Sequence, residues 1–567
     1  MTKSATSGGR KFVPGALLLL AAVAAFSPAR ADAIVASRSA TRAQSLSVLS
    51  GGGPIPVVCL TPLIESLRQD PATGTPASRR ALALLQSESS LLGERRVMDR
   101  DGTSIRYSVD RMSFDRVDPM DGDGDGLPDV VEAVLDGLAA TRRLLVDQMG
   151  LPGPGPADVV LAKLGGGIDG YLVPPGRRDG KPLLMIEAAP RGGAAVARNA
   201  VIHQFAHAAA LAAGPAIPVQ FGEALATWAV FRLSGGPDAR VAGLLAERLE
   251  RLDAGLATDD LALSAGNAAW FAYLDEAYGL TAVSLAVEEL STGAAPATAL
   301  DRALRRAVGE PFNAAFRDFH LWSVLTGGRA DGQHFSFADR LPSPSFAATV
   351  DGLPALSVQA DPPVSGLGAA QILFRPWESS GGMNLRFEGE IGSRWETDLL
   401  LVDPRGHVRR LALPLSTEAR GEVTVPLNRV AEAILLVRNL DGDGRSSHRY
   451  TWSAYRDPDY PCEISSVDVR GAELPAGAVL VTWETASESA LAGFNVLRRR
   501  EGSLDEIRIN PIGVPPLGDA ATAAAYQFLD TTAAPGVRYV YRIEAVTPEG
   551  LSSFSESLAS GPATPLP

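Results

Sequence analysis

Near Pro342 the hydrophobic pattern of this chain changes from helical to extended periodicity, and that switch makes a single-core fold untenable. From residue 99 to about 340, short strand-like pieces (104–109, 159–164 and 183–187) precede long helices rich in Ala, Leu and Arg. This is an α+β pattern with most of its helix late. After Pro342, β-type runs at 371–375, 384–388, 398–402 and 433–437 are separated by turn residues, so a β-sandwich is expected over 346–456. A Pro- and Asp-rich linker at 457–461 leads to a last β unit, 463–563. With 567 residues, and roughly 150 residues per domain, three or four domains agree with this division.

The beginning of the chain has the three parts of a secretory signal. Arg10-Lys11 is followed by an apolar stretch from Ala16 to Phe26 and by Ala29-Arg30-Ala31 as a small-x-small cleavage site. Cleavage is expected after Ala31, because the apolar run falls short of the roughly 20 residues that a membrane span needs. No later segment is apolar enough to span. Residues 32–98, with one helical run near 80–92, read as an N-terminal extension or a pro-segment. The expected location is therefore secreted, extracellular or periplasmic, or on the cell surface.

Charge narrows the partners. The chain carries 52 basic and 65 acidic residues, a net charge of -13, which disfavours nucleic acid and anionic membranes as partners. There are only two cysteines, Cys59 and Cys462. One long-range bridge and two separate thiols are both open readings.

Residues 121–132 match the twelve-residue EF-hand loop. Acidic residues stand at positions 1, 3, 5, 9 and 12 (Asp121, Asp123, Asp125, Asp129, Glu132), the Leu127 carbonyl is at the seventh, and Gly126 sits where the loop must turn sharply. These oxygens suit calcium. Pro128, at position eight, has no N–H to give a paired loop, so this loop is expected to work alone and to stabilise the fold. A second acidic turn at 439–444 lacks the acid at position twelve, where Tyr450 falls, and reads as a hairpin turn.

Two of the chain's 6 histidines lie four apart in His203-Gln204-Phe205-Ala206-His207, a spacing that puts both imidazoles on one helix face. The flanks 200–213 are strongly helical and Gly214-Pro215 is a stop signal. Glu223, in a second helix after a short turn, is the natural third ligand. Two His and one Glu would bind zinc and leave the fourth tetrahedral position to water.

The acidic loop, the His-x-x-x-His helix, the Gly222-Glu223-Ala224-Leu225-Ala226-Thr227-Trp228 segment and the Ala/Leu-rich helices that follow resemble secreted bacterial metalloproteases of the gluzincin type, over about residues 99–345. The resemblance implies an α+β metallopeptidase domain with a late helical bundle, zinc on His203, His207 and Glu223, and peptides or proteins as ligands. It also implies a glutamate after the first His as general base, and here that residue is Gln204. An amide orients water but takes no proton, and a general base is worth roughly 10²- to 10⁴-fold. Tyr273, Tyr278 and His320 are assigned no role.

The last unit, 463–563, resembles a fibronectin type III domain. Residues 479–483 with Trp483 look like its second strand, 493–498 like its third, and Tyr539 with Tyr541, Ile543, Ala545 and Val546 like its tyrosine corner and sixth strand. The expectation is thus an exported, calcium-stabilised, zinc-binding pseudoenzyme that acts as a binding or surface protein. The alternatives are an active zinc endopeptidase using another base, and a purely structural multidomain surface protein.

Overall fold

The computed structural model describes residues 59–62, 64–65, 96–100 and 102–560, except 114, 165–167, 175–180, 360–362, 376–381, 428–429, 443–445, 458–461, 472–476, 489–490, 519–523, 547 and 549–551. The signal segment, most of the 32–98 extension with its helical run, and most of the 457–461 linker lie outside the described residues.

The first unit is built on a mixed sheet of β1 (Arg96–Arg100), β2 (Thr103–Tyr107), β3 (Asp158–Ala162), β4 (Gly170–Val173) and β5 (Leu183–Glu187), in the order β1-β2-β3-β5-β4. Strands β2, β3 and β5 are parallel, whereas β4 runs antiparallel to β5 and forms the edge. Strands β3 and β5 are buried along their whole length, which explains their nearly unbroken apolar sequences. On one face Val159, Leu161, Leu184 and Ile186 pack with α1 (Asp129–Arg142) and α2 (Ala194–Ala213). On the other, Leu60 and Ile64 of the N-terminal extension meet Val160, Tyr171, Val173, Leu183 and Met185.

Seven helices follow: α3 (Val219–Leu233), α4 (Ala239–Glu250), α5 (Leu261–Gly266), α6 (Ala268–Tyr278), α7 (Leu280–Ser291), α8 (Pro296–Val308) and α9 (Phe312–Val324). Trp270 is wholly buried and meets Phe312, Phe316 and Phe319 edge-on, with ring centroids 5.3 to 6.2 Å apart. This aromatic cluster is therefore core. Tyr273 belongs to it, packed on Trp322, with its hydroxyl 3.0 Å from that of Tyr278.

His320 on α9 is fully buried, and its Nδ1 donates to the Phe316 carbonyl at 2.8 Å. Burial and the nearby charges of Arg438 and Arg248 hold its pKa well below the ordinary imidazole value, so it folds in neutral. Below about pH 6.5 the unfolded chain binds a proton that the folded one refuses. Stability is then lost as pH falls, at roughly 1.4 kcal/mol per pH unit for this one group. Urea unfolding of wild type and His320→Leu between pH 7.5 and 5 should show a shallower pH slope in the variant. Equal slopes would mean that His320 is not the group responsible.

The second unit pairs a four-stranded and a five-stranded sheet. The strands Gly368–Arg375, Trp395–Val402 and Glu432–Asn439 are buried on both sides along most of their length, because the outer face of the five-stranded sheet is also covered. Leu321, Val324 and Leu325, at the end of α9, pack on Leu373, Leu400, Ile434 and Leu436 there. In the last unit, strands Cys462–Gly471, Val479–Glu488 and Ala524–Asp530 form one antiparallel sheet, and Gly493–Arg500 and Tyr539–Val546 centre the other. Trp483 is buried between them, and the Tyr539 hydroxyl accepts from the Ala534 amide at 3.3 Å. Arg410 joins all three units, pairing with Asp318 of α9 at 2.6 Å and with Asp505. In the second acidic turn, Asp441 accepts from the Arg394 amide at 3.1 Å and sits 3.2 Å from His448 Nε2. No helix among the described residues is long and apolar enough to cross a membrane.

Candidate metal centre

Helix α2 ends where expected. Pro215 disfavours helical geometry at Gly214, whose amide closes the last turn on the Ala210 carbonyl. Pro218 then opens α3, and the short turn between them lays Glu223 beside the histidine face of α2.

One carboxylate serves both imidazoles. Glu223 Oε1 is 3.3 Å from His203 Nε2, Glu223 Oε2 is 3.0 Å from His207 Nε2, and the two Nε2 atoms are 3.2 Å apart. A fourth donor arrives from the N-terminal extension: Cys59 Sγ is 3.5 Å from His207 Nε2. One donor atom from each of these four residues lies within 4.8 Å of all the others. Bonds of about 2.0–2.3 Å around a tetrahedral zinc ion would set its donors roughly 3.3–3.7 Å apart. The separations here are close to that, and the nitrogen, carboxylate and thiol donors are the types zinc takes, so the residues fit the ion.

The electrostatics point the same way. Burial opposes charge on His207, but the Cys59 thiol and the Glu223 carboxylate outweigh it and push its pKa up to about 9. Burial would likewise raise the Glu223 pKa, yet His203 and His207 hold it well below the usual carboxylate range.

Gln204 is 1% exposed and fully engaged. Its Oε1 accepts from Thr61 Oγ1 at 2.7 Å, and its Nε2 donates to Cys59 Sγ at 3.3 Å. Thr61 Oγ1 in turn accepts from the Leu172 amide at 2.9 Å, which ties this short segment to the edge strand β4. Gly170 makes room for the arrangement, since a Cβ there would come within 3.2 Å of Gln204 Cγ and 2.8 Å of the Met185 carbonyl oxygen.

A cleft of about 990 Å³ is lined by three of the four donors, Cys59, His203 and Glu223, and also by Asp169, Glu187, Asp238 and Arg240. All three of those further carboxylates are occupied, Asp238 accepting from the amides of Arg240 and Val241 at 3.0 and 2.8 Å. Glu187 accepts from the amides of Leu164 and Ala189 at 2.8 and 3.2 Å, and Asp169 pairs with Arg240 at 2.5 Å. Tyr273, Tyr278 and His320 do not line this cleft.

In the acidic loop, the carboxylates of Asp121, Asp123 and Asp125 converge. Gly126 turns the chain at φ +93°, and Asp121 accepts from the amides of Gly124 and Gly126 at 2.8 and 2.9 Å. Asp125 accepts from the Leu127 amide at 2.8 Å. Asp129 and Glu132 stand outside the three-carboxylate cluster, Asp129 accepting from the Gly122 amide at 2.7 Å. Desolvation and the like charges of Asp123, Asp125, Asp129 and Asp121 raise the Glu132 pKa. From this loop α1 leaves with Val130, Val131, Val134 and Leu138 buried.

Sequence reasoning brought together His203, His207 and Glu223 but missed Cys59 and Thr61. It expected water beside those three residues, whereas Cys59 Sγ stands within 4.8 Å of their donor atoms. Cys59 is a free, buried cysteine, not half of a bridge. A separation of 144 residues from His203 carries no local pattern, and the one available signal was that cysteine is itself a zinc ligand type.

Fold and site together define a multidomain α+β protein with a four-donor centre at the junction of its first sheet and its helices. No family model matches the chain, and no curated protein matches it. Among solved structures it is similar to a Fn3-like protein from Clostridium thermocellum, at 17% identity and TM-score 0.13, over 17% of this chain and 88% of that one. A β-1,2-glucanase from Parabacteroides distasonis aligns at 13% identity and TM-score 0.15, over 35% of this chain and 31% of the enzyme. The glycoside hydrolase domain of Endo-D from Streptococcus pneumoniae R6 aligns at 12% and 0.14, over 36% and 32%. Likenesses of this size carry no argument about activity.

Proposed function

We propose that this chain is an exported, gluzincin-like zinc protein that does not hydrolyse peptides and works as a binding or surface protein. His203, His207 and Glu223 hold the ion, and two β-sandwiches, the last of fibronectin type III kind, carry or extend the binding surface. A bound zinc ion supplies Lewis acidity. At the position of the general base this chain has Gln204, an amide that takes no proton.

The observation that carries the reading is the state of Gln204. It stands at the base position as a buried amide with both ends bonded, and the sole carboxylate in the donor cluster among the described residues is Glu223. The nearby Asp169 and Glu187 are held by their own partners. These arrangements also weigh against an active peptidase with a displaced base. The test is to purify the mature chain and measure its zinc content and its cleavage of casein. One zinc per chain and no cleavage are expected, while cleavage that disappears in His203→Ala would overturn the reading.

The loop at 121–132 is proposed as a calcium site that braces α1. At a Kd on the order of 10⁻⁴ M, millimolar calcium stabilises the fold by about 1.4 kcal/mol. Calcium should therefore raise the melting temperature of the wild type and leave that of Asp121→Ala unmoved. The same response in both would exclude this loop as the site.

A further inference from the structure

Resting on the zinc reading above, we propose that Cys59 is the fourth ligand of the ion, so that the segment from Cys59 to Glu65 closes the metal site from within the chain. A catalytic zinc site keeps one position open and a structural one fills all four with protein donors. Here a thiol fills the fourth. Sulfur suits the ion, and the S–H proton leaves to solvent as the Sγ–metal bond forms.

The sulfur is held in place by more than the donors it faces. The Cys59 backbone pairs with Gly170 in a parallel bridge on the free side of edge strand β4. Two residues on, Thr61 bonds both the Leu172 amide and Gln204. On either side of it Leu60 and Ile64, 2% and 0% exposed, are sunk into the core beneath the sheet. An exposed strand edge is where an extended peptide would add to a sheet. The segment therefore blocks the ion and the strand edge at once, and Gln204 contributes by fixing both Thr61 and the sulfur.

Cobalt distinguishes the possibilities, because thiolate coordination gives a charge-transfer band in the near ultraviolet that nitrogen and oxygen ligands do not. The full mature chain loaded with Co²⁺ should bind one ion and show that band. Cys59→Ser should lose the band while still binding cobalt, and Cys462→Ser should keep it. In the unmodified protein, Cys59 should react with iodoacetamide only after the metal is chelated, a readout that needs no variant to fold. Cobalt bound without the band, a band that survives in Cys59→Ser, or equal alkylation before and after chelation would overturn the proposal and leave the three-ligand site standing. A wild type that binds no cobalt, or a His203→Ala variant that binds it as well, would overturn the zinc reading itself and this proposal with it.

Discussion

Gln204→Glu combined with Cys59→Ala should cleave casein about 10²- to 10⁴-fold faster than Cys59→Ala alone. The first substitution installs a proton acceptor at the position that has none, and the second removes the thiol from beside the two imidazoles. Gln204→Glu by itself should stay silent, because Cys59 Sγ still lies 3.5 Å from His207 Nε2 and the segment still covers the edge of β4. The order of effects is what matters. If the single Gln204→Glu change were enough, Cys59 would not be an obstacle; if even the double variant were silent, some loss other than the base would have to explain it.

The second large effect is on stability. Glu223→Ala removes the carboxylate that touches both imidazoles, at 3.3 and 3.0 Å, and should abolish stoichiometric zinc binding. A ligand present at a thousand times its Kd stabilises a fold by about 4 kcal/mol. Chelation should therefore lower the melting temperature of the wild type markedly and leave that of Glu223→Ala unchanged. Calorimetry with and without chelator decides it, and a variant that still responds to chelation would place the ion elsewhere.

What the sequence disclosed depended on the range over which each signal acts. The helix carrying His203 and His207 is local: spacing, alanine content and the Gly214-Pro215 stop place its end at Ala213, although it begins at Ala194, six residues before the expected 200. Glu223 lies 16 residues past His207 and was reachable because a short turn between two helices leaves few ways to fold back. The acidic loop declares itself by composition alone, yet side-chain convergence is three-dimensional, and three of its carboxylates gather while Asp129 and Glu132 stand apart.

Contacts across long stretches of chain were not legible. The strand around Leu399, Leu400 and Leu401 could be read as β, but not as a strand sandwiched between its own core and α9, because burial on the second face comes from Leu321 and Val324. The same holds for Cys59. Its environment is composed of residues from β4, α2 and α3, none of which its neighbours in sequence foretell.

Those long separations also set an order of events during synthesis. The segment bearing Cys59 leaves the ribosome more than a hundred residues ahead of Gly170 and Leu172, and further still ahead of His207, so it has nothing to dock on until the sheet and α2 exist. Contacts this distant along the chain are slow to form. The part of the described chain that is made first thus depends on parts made much later for its place, and in return Leu60 and Ile64 cover Val160, Tyr171 and Met185.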